Sequence, residues 1–309
     1  MNRQRGVALV LVLMVTGILG LLMLQVGLTA REQVARAQRL SDRADAELLA
    51  QSREAAMAYS LLTQPWVEAR ESSADSANAY AAAWNFHGEP FELDGITYRV
   101  QDVSGLLPIP LPQDSPRAFL ALLRQLDVEP QRAERLVAQL RALQGVRPPL
   151  DAPGRAQPDP GARPRPREAA EHAGVGFPVQ SMAELRYLPD MDPSLLARVE
   201  SLTTLYPTPG LNPLTAPPEV LAVRFDGSVL EGVLELRRQR RLDGAALYAL
   251  AGVGADDVTS LSPGPALRID LELRHAGITV RRETTWALRP YATEPLATWS
   301  RRRVPEAGA

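Results

Sequence analysis

The first sixty residues carry a helical pattern of apolar positions. From Val7 to Leu24 the chain has no charged residue, and the apolar run continues to Leu28 before Arg31 ends it. Residues 31–63 contain no Gly or Pro and are rich in strong helix formers. We therefore predict one helix from Val7 to about Gln64, roughly 87 Å long. Its polar half has an apolar stripe at helical spacing, formed by Val34, Ala37, Leu40, Ala44, Leu48, Ala55, Tyr59 and Leu62.

Two later segments alternate apolar and polar residues, which is typical of half-buried strands. Phe91–Val103 has the turn dipeptide Asp94-Gly95 between its apolar positions, and this predicts a β-hairpin. Ala266–Arg289 has a longer alternation around Ala276-Gly277 and predicts a second hairpin. The residues after Pro290 lack such a pattern, so 291–309 is predicted to be a frayed tail.

The segment between the hairpins has helical character. Its proline positions and apolar spacing predict helices over Pro116–Leu126, Pro130–Leu143, Ser181–Leu188, Pro193–Leu205, Thr215–Val223, Leu230–Arg240 and Gly244–Ala251. A loop with many prolines, 147–167, interrupts this block. Two separated hairpins can share one sheet only if the helices between them are an insertion. The predicted fold class is therefore α+β: a long N-terminal α-helix packed on an antiparallel sheet, with a large inserted α-helical domain.

These patterns set the predicted domain boundaries. The long helix from residue 29 and the first hairpin form one unit over 29–112, and the inserted α-helical domain covers 113–262. The second hairpin, within 263–290, completes the sheet.

The apolar N-terminal run has three interpretations. A cleaved secretory signal would have a shorter apolar region, and the candidate site at Leu28-Thr29-Ala30 lacks a small residue two positions before Ala30. A plain single-pass anchor needs about 20 apolar residues, which 7–28 provide. A prepilin-like signal has a short basic leader that ends in Gly, and Arg5-Gly6-Val7 fits a leader of residues 1–6 with cleavage after Gly6. Arg3 and Arg5 predict a cytoplasmic N-terminus and a translocated bulk.

Composition excludes several function classes. The chain has no cysteine, so thiol nucleophiles, Cys-ligated zinc and disulfides are excluded. Its three histidines are far apart, and no G-x-S-x-G, H-E-x-x-H or phosphate-binding glycine loop occurs. A formal net charge of −2 argues against a dedicated nucleic-acid binder. We therefore expect neither an enzyme nor a cofactor.

One motif keeps a nucleic-acid alternative open. Gly252-Val253-Gly254 follows a predicted helix, as in helix-hairpin-helix DNA-binding modules, where backbone N–H groups meet phosphate. Arg237, Arg238, Arg240 and Arg241 are close in sequence. A tight turn beside a solvated helix face explains the same residues, and we favour that interpretation.

Four segments make the chain resemble the K component of type II secretion systems, a large minor pseudopilin. They are RGVALVLVLM at the N-terminus, YRVQDVSGLLPIP after the first hairpin, FPVQSMAELRYLPDMDPSLLARVESLTTLYP, and LNPLTAPPEVLAV. The last two, in this order and spacing, are the specific part. The sequence departs from the family at Ile109 and Leu111, where Asn is common, at Leu214, which replaces a second Asn, and at 138–143, where an acidic stretch is missing.

The resemblance implies a function in assembly. A prepilin peptidase would cleave between Gly6 and Val7, and the retained helix would hold the protein in the inner membrane with its bulk in the periplasm. The partners would be other minor pseudopilins at the tip of the pseudopilus. Most pilins carry Glu at the fifth mature position, whereas Leu11 stands here, as in K-type pseudopilins. We expect the helix up to about Leu40 to face partner helices and the remainder of the stripe to pack on the sheet.

The resemblance also raises the question of calcium, because family members can bind it through carboxylates of the inserted domain. Calcium needs about 6–8 converging oxygen ligands. The close acidic pairs in this block are Asp190 with Asp192 and Asp256 with Asp257. We favour solvated loop carboxylates over a metal site at these four positions. The runner-up to the pseudopilin assignment is a membrane-anchored type IV pilus-like or DNA-binding protein.

Overall fold

The structure, a computed structural model, confirms the predicted α+β fold class. It describes residues 3–66, 78–109, 116–144, 179–206, 208, 210–254, 259–289 and 292–303. A long N-terminal helix packs on an antiparallel sheet, and a block of shorter helices lies between two strands of that sheet. The predicted proline-rich loop 147–167 lies outside the described residues.

Helix α1 runs from Arg3 to Thr63, 61 residues or about 90 Å. Its C-terminal end is closed by Trp66, whose indole Nε1 donates to the Leu61 carbonyl at 2.6 Å. A short helix α2, Ala79–Ala83, follows, and the Asn78 carboxamide caps its first turn. Both helices pack against the sheet.

The sheet has five antiparallel strands in the order β1-β2-β5-β6-β7. They are β1 Phe91–Leu93, β2 Ile96–Asp102, β5 Ala266–His275, β6 Ile278–Leu288 and β7 Leu296–Arg303. Both predicted hairpins are present, with positive φ in the turns at Asp94-Gly95 and Ala276-Gly277. Strand β2 pairs with β5 over seven residues, from Ile96 with Leu273 to Asp102 with Leu267, so residues far apart in sequence become neighbours.

Strand β7 corrects the prediction of a frayed tail over 291–309. Leu296–Arg303 pairs with β6, and its side chains make contacts with β6 and with the helical region. The Trp299 ring packs on Tyr206 with centroids 4.5 Å apart. Arg302 bonds to Glu283 at 2.8 Å. Arg301, Arg302 and Arg303 therefore belong to the sheet, although the sequence analysis placed them in the frayed tail.

The block between β2 and β5 is mainly helical. It contains a 3₁₀ turn Val103–Gly105, β3 Leu107–Pro108, α3 Arg117–Gln125, α4 Pro130–Leu143, a 3₁₀ helix Met182–Tyr187, α5 Pro193–Leu202, β4 Thr203–Thr204, α6 Pro218–Arg224, α7 Gly227–Arg238 and α8 Gly244–Ala251. Strands β3 and β4 form a small parallel pair. We call the part from α3 to α8 the helical block.

Four predicted helices have different bounds, and one of them, predicted over Leu230–Arg240, is α7 Gly227–Arg238. The segment Ser181–Leu188 forms a 3₁₀ helix, capped by Ser181 and Glu184. Helix α5 ends at Leu202 because Thr203 and Thr204 pair with β3. Helix α6 begins at Pro218, since Thr215 is held by a buried carboxylate described below.

Two separate hydrophobic cores result. One lies within the helical block and includes Phe119, Leu136, Val199 and Val220. The other lies between α1 and the sheet and includes Met57, Trp84, Tyr98 and Trp286. The helical block therefore meets the opposite, more polar face of the sheet.

Candidate functional site

The N-terminal half of α1 is an unaccompanied apolar helix. From Leu11 to Leu28 its large apolar side chains are all exposed, and Leu11 itself is 61% exposed. Within the part of α1 whose side chains are described, the helix is long and apolar enough to cross a membrane. The predicted processing residues Gly6 and Val7 lie on the same helix, in its first turns.

The apolar stripe of α1 does not pack on the sheet as expected. Leu48 and Tyr59 are 63% and 68% exposed, and of the C-terminal stripe residues only Leu62 packs partly against the sheet core. The sheet instead contacts the opposite face of the helix, at Ala46, Ala50, Met57 and Leu61. The small side chains of Ala46 and Ala50 let the helix axis approach the strands closely, and this explains why this face of α1 packs on the sheet.

Seven of the eight stripe residues, all but Leu40, form a continuous uncharged surface together with Ser41 and Ser52, and we call this surface the seam. It comprises Val34, Ala37, Ser41, Ala44, Leu48, Ser52, Ala55, Tyr59 and Leu62. All nine are exposed except Leu62, which is partly exposed. Their spacing alternates between three and four residues with one extra step of four, which keeps them on one side of a helix. Small and apolar side chains at this spacing are what a second helix needs for close packing.

A buried ion-pair cluster fixes which face of α1 points outward. Arg282 on β6 donates to Glu54 at 3.0 Å and to Glu47 at 2.5 Å, and Thr284 donates to Glu54 at 3.1 Å. Arg282 and Glu54 are both almost fully buried. Rotating α1 about its axis would leave these charges buried without partners, at a cost of about 3–5 kcal/mol. The cluster therefore holds the seam on the outer side.

A buried carboxylate with many hydrogen bonds joins the sheet to the helical block. Asp102, at the end of β2, is fully buried and accepts five hydrogen bonds. The donors are the Ser104 backbone and hydroxyl, the Asn212 amide at 3.1 Å, the Thr215 hydroxyl at 2.7 Å and the Gly264 N–H at 3.1 Å. We call this set the Asp102 cluster.

Neighbouring groups reinforce the Asp102 cluster. Gln101 donates to the Thr215 carbonyl at 2.9 Å, and Arg237 on α7 donates to the Ala216 carbonyl at 2.9 Å. Gly105 lies so close to this loop that a Cβ there would be 2.5 Å from the Thr215 carbonyl oxygen. Two of the four segments behind the family resemblance, Gln101–Gly105 and Asn212–Ala216, therefore pack directly on each other.

The carboxylates considered for calcium serve other interactions where the structure describes them. Asp190 bonds to Arg135 at 3.1 Å and to Gln139 at 2.6 Å, and the hydrogen bond from Arg135 lowers its pKa. Hydrogen bonds from Ser194 and Arg132 lower the pKa of Asp192, which also caps α5. Asp256 and Asp257 lie outside the described residues. No group of three or more potential metal ligands occurs among the residues that the structure describes.

The candidate DNA-binding turn is a helix C-cap. Gly252 has φ of +67° and closes α8 in the left-handed conformation. Arg237 is buried and bonded to loop carbonyls, so it is not available to phosphate. In the described residues after this turn, 259–265, no second helix follows. These observations favour the tight-turn interpretation.

Sequence reasoning missed both polar clusters. Asp102 was included in a family-like segment, but its four partner residues are spread from 104 to 264 and carry no local signal. Arg282 and Glu54 are 228 residues apart, and neither carries a local signal that would predict the other as its partner.

The chain has weak similarity to known proteins. No family profile matches it, and no curated protein matches it. Among solved structures it is similar to a chain of the GspK–GspI–GspJ complex of the type 2 secretion system of enterotoxigenic Escherichia coli. The identity is 17% and the TM-score 0.47, over 89% of this chain and 99% of that chain. At this level of similarity, a functional assignment rests on the chain's own residues.

Proposed function

We propose that this protein is a minor pseudopilin of a type II protein secretion system, located at the tip of the pseudopilus, where it supports protein export across the outer membrane. The seam on α1 carries the proposal. It is an uncharged surface of about 28 residues' length that continues the exposed apolar helix and faces away from the protein's own sheet. Such a helix is suited to leave the lipid and pack among the helices of other minor pseudopilins.

The bulk of the molecule supports a position at the tip. The helical block adds a second hydrophobic core beside the sheet, so the globular part is wider than a helix and sheet alone. A subunit this wide is difficult to stack beneath others. Leu11 agrees with this position, because a buried carboxylate is costly unless a neighbour supplies its partner.

Processing and topology complete the proposal. A prepilin peptidase removes residues 1–6, the segment 7–28 anchors the protein in the inner membrane, and the remainder lies in the periplasm. The protein acts by assembly and not as an enzyme, and it binds no nucleic acid.

Processing can be tested by substitution at Gly6. A peptidase at the membrane surface needs close approach to the backbone, which a side chain at Gly6 would hinder. We expect Gly6→Leu to accumulate the precursor, whereas Gly17→Leu in the same apolar helix is processed normally. Mass spectrometry of the purified N-terminus distinguishes the two. A mature chain that begins at Arg31 would instead indicate an ordinary signal peptide and contradict the proposal.

A fragment that begins at Arg31 tests the tip position. The sheet contacts of α1 begin at Ala46, so this fragment retains both hydrophobic cores. We expect it to fold, to remain monomeric in sedimentation, and to bind the globular domains of two smaller minor pseudopilins. A homopolymer that grows with concentration would indicate a shaft subunit and would overturn the tip position.

A further inference from the structure

The helical block and the sheet enclose a cleft that the proposed function does not use. Its volume is about 760 Å³, and its floor is the polar face of the sheet. Four charged residues cross this floor in register, one each from β2, β5, β6 and β7: Arg99, Asp270, Glu283 and Arg302. Two carboxylates are therefore neighbours at the centre of the row, with an arginine at either end.

Two arginines fasten the helical block to the floor. Arg302 donates to Glu200 on α5 at 3.0 Å and to Glu283 on β6 at 2.8 Å. Arg268 donates to the backbone carbonyls of Glu200 and Thr203, both at 2.9 Å, at the end of α5. We call these contacts the latch. They are hydrogen bonds and ion pairs, and the Arg302 side chain is half exposed to solvent, whereas each hydrophobic core lies on one side of the junction.

Asp270 lies beside the latch and has an unsatisfied oxygen atom. Its Oδ1 atom is buried and has no hydrogen-bond partner among the described residues. Burial first and the adjacent Glu283 second raise the pKa of Asp270 to about 6. The ionised form of Asp270 is costly, because its Oδ1 atom has lost water without gaining a donor among the described residues.

The cost depends on the helical block covering the floor. If α5 moves away from the sheet, water reaches Asp270 and its charged form becomes less costly. By linkage, ionisation of Asp270 must favour the state in which this carboxylate is hydrated. We propose that the latch is sensitive to protonation of Asp270, so that the cleft is closed in acid and loosens as Asp270 ionises.

Other charged groups also face the cleft, and their exposure and hydrogen bonding differ from those of Asp270. From the sheet these are Arg99, Arg268, Glu283 and Arg302, and from the helices Glu200, Glu219, Arg237 and Arg238. The loop before β1 contributes His87 and Glu89, which pair at 3.1 Å. Glu219 is exposed, Glu283 and Glu200 are bonded to Arg302, and the arginines stay charged at all relevant pH values. Among these carboxylates, Asp270 is the one with a buried oxygen atom that has no donor among the described residues.

A distance measurement across the cleft tests the proposal. The chain has no cysteine, so Tyr248→Cys on α8 and Thr298→Cys on β7, both exposed positions, give two unique sites for spin labels. The full chain in detergent micelles is measured by pulsed electron resonance at about pH 5 and about pH 7.5. With the pKa values of about 4 and 6 for the open and closed states, we expect the ratio of long to short distances to rise roughly tenfold between them.

Three variants make the result decisive. Asp270→Asn should give the short distances at both pH values, and Glu219→Gln, a carboxylate on the rim of the same cleft, should behave like the parent. Arg302→Gln should raise the share of long distances at both pH values, because the Arg302 contacts of the latch are lost while those of Arg268 remain. The proposal is wrong if the parent distances are the same at both pH values, if Asp270→Asn retains the full change, or if Arg302→Gln stays closed. Circular dichroism is used to check that each variant is folded.

Discussion

Removal of the Asp102 carboxylate tests whether the sheet and the helical block depend on one buried group. In Asp102→Ala, five hydrogen bonds are lost and several donors remain buried, among them the Gly264 N–H and the Asn212 amide. Hydrogen bonds to a charged acceptor contribute about 1.5–3 kcal/mol each, and the recovered desolvation of the carboxylate offsets part of their sum. We expect a net loss of about 3–5 kcal/mol in the free energy of unfolding.

Urea unfolding of the fragment that begins at Arg31 measures this loss. All four tryptophans lie outside the helical block, so their fluorescence follows the sheet side of the molecule, and circular dichroism follows the helices. With an m-value of about 3 kcal/mol/M, the midpoint should fall by roughly 1–1.7 M. Both signals should shift, because Asp102 contacts both parts.

Asp226→Ala is the matched control. Asp226 is exposed and precedes α7, but its side chain makes no capping hydrogen bond. We expect a loss of less than about 0.5 kcal/mol there. If Asp102→Ala costs no more than this control, or shifts only one of the two signals, the Asp102 cluster does not join the two parts.

Three further substitutions follow from the same contacts. Asp270→Asn should stabilise the protein by roughly 1–3 kcal/mol at about pH 7.5 and have little effect near pH 4. The reason is that folding raises the pKa of Asp270, so the parent protein loses stability as the pH rises from about 4 to 6. Thermal unfolding that shows a destabilised variant at pH 7.5 would contradict this. Gly105→Ala should cost about 1–3 kcal/mol or more in urea unfolding, because its Cβ meets the Thr215 carbonyl, whereas Gly254→Ala, with its nearest atom at 3.8 Å, should not. Arg282→Met should lower the free energy of unfolding by about 3–5 kcal/mol, whereas Arg274→Met, which removes an exposed ion pair with Glu272, should change it almost not at all. Equal losses in the two variants would show that the buried ion pair does not hold α1 on the sheet.

Regular patterns were predicted well from the sequence. The alternation in Ala266–Arg289 gave β5 and β6 nearly to the residue, and Pro130 marked the start of α4. These features depend on neighbours within a few positions, which a local pattern records. Strand β7 was missed because its arginines find carboxylates on β6 and α5, and a local pattern carries no information on such partners.

The face of α1 shows a second limit of sequence reasoning. The stripe from Val34 to Leu62 was correctly recognised as a helical face, but the part after Leu40 was assigned to the sheet. Periodicity shows that a face exists and does not show what covers it. The opposite face packs on the sheet because Ala46 and Ala50 allow close approach of the helix and because Glu54 forms an ion pair with Arg282. The stripe was left free for another helix.

Photo-crosslinking from the seam tests the central claim most directly. A photoreactive residue replaces Leu48 on the seam or, as the control, Arg43, an exposed position about 140° around the helix. In cells that produce the full chain, we expect Leu48 to form adducts that mass spectrometry identifies as subunits with a long apolar N-terminal helix, joined through that helix. Arg43 should form few or none. Equal adducts from both positions, or adducts from Leu48 that lie outside such helices, would contradict assembly through the seam.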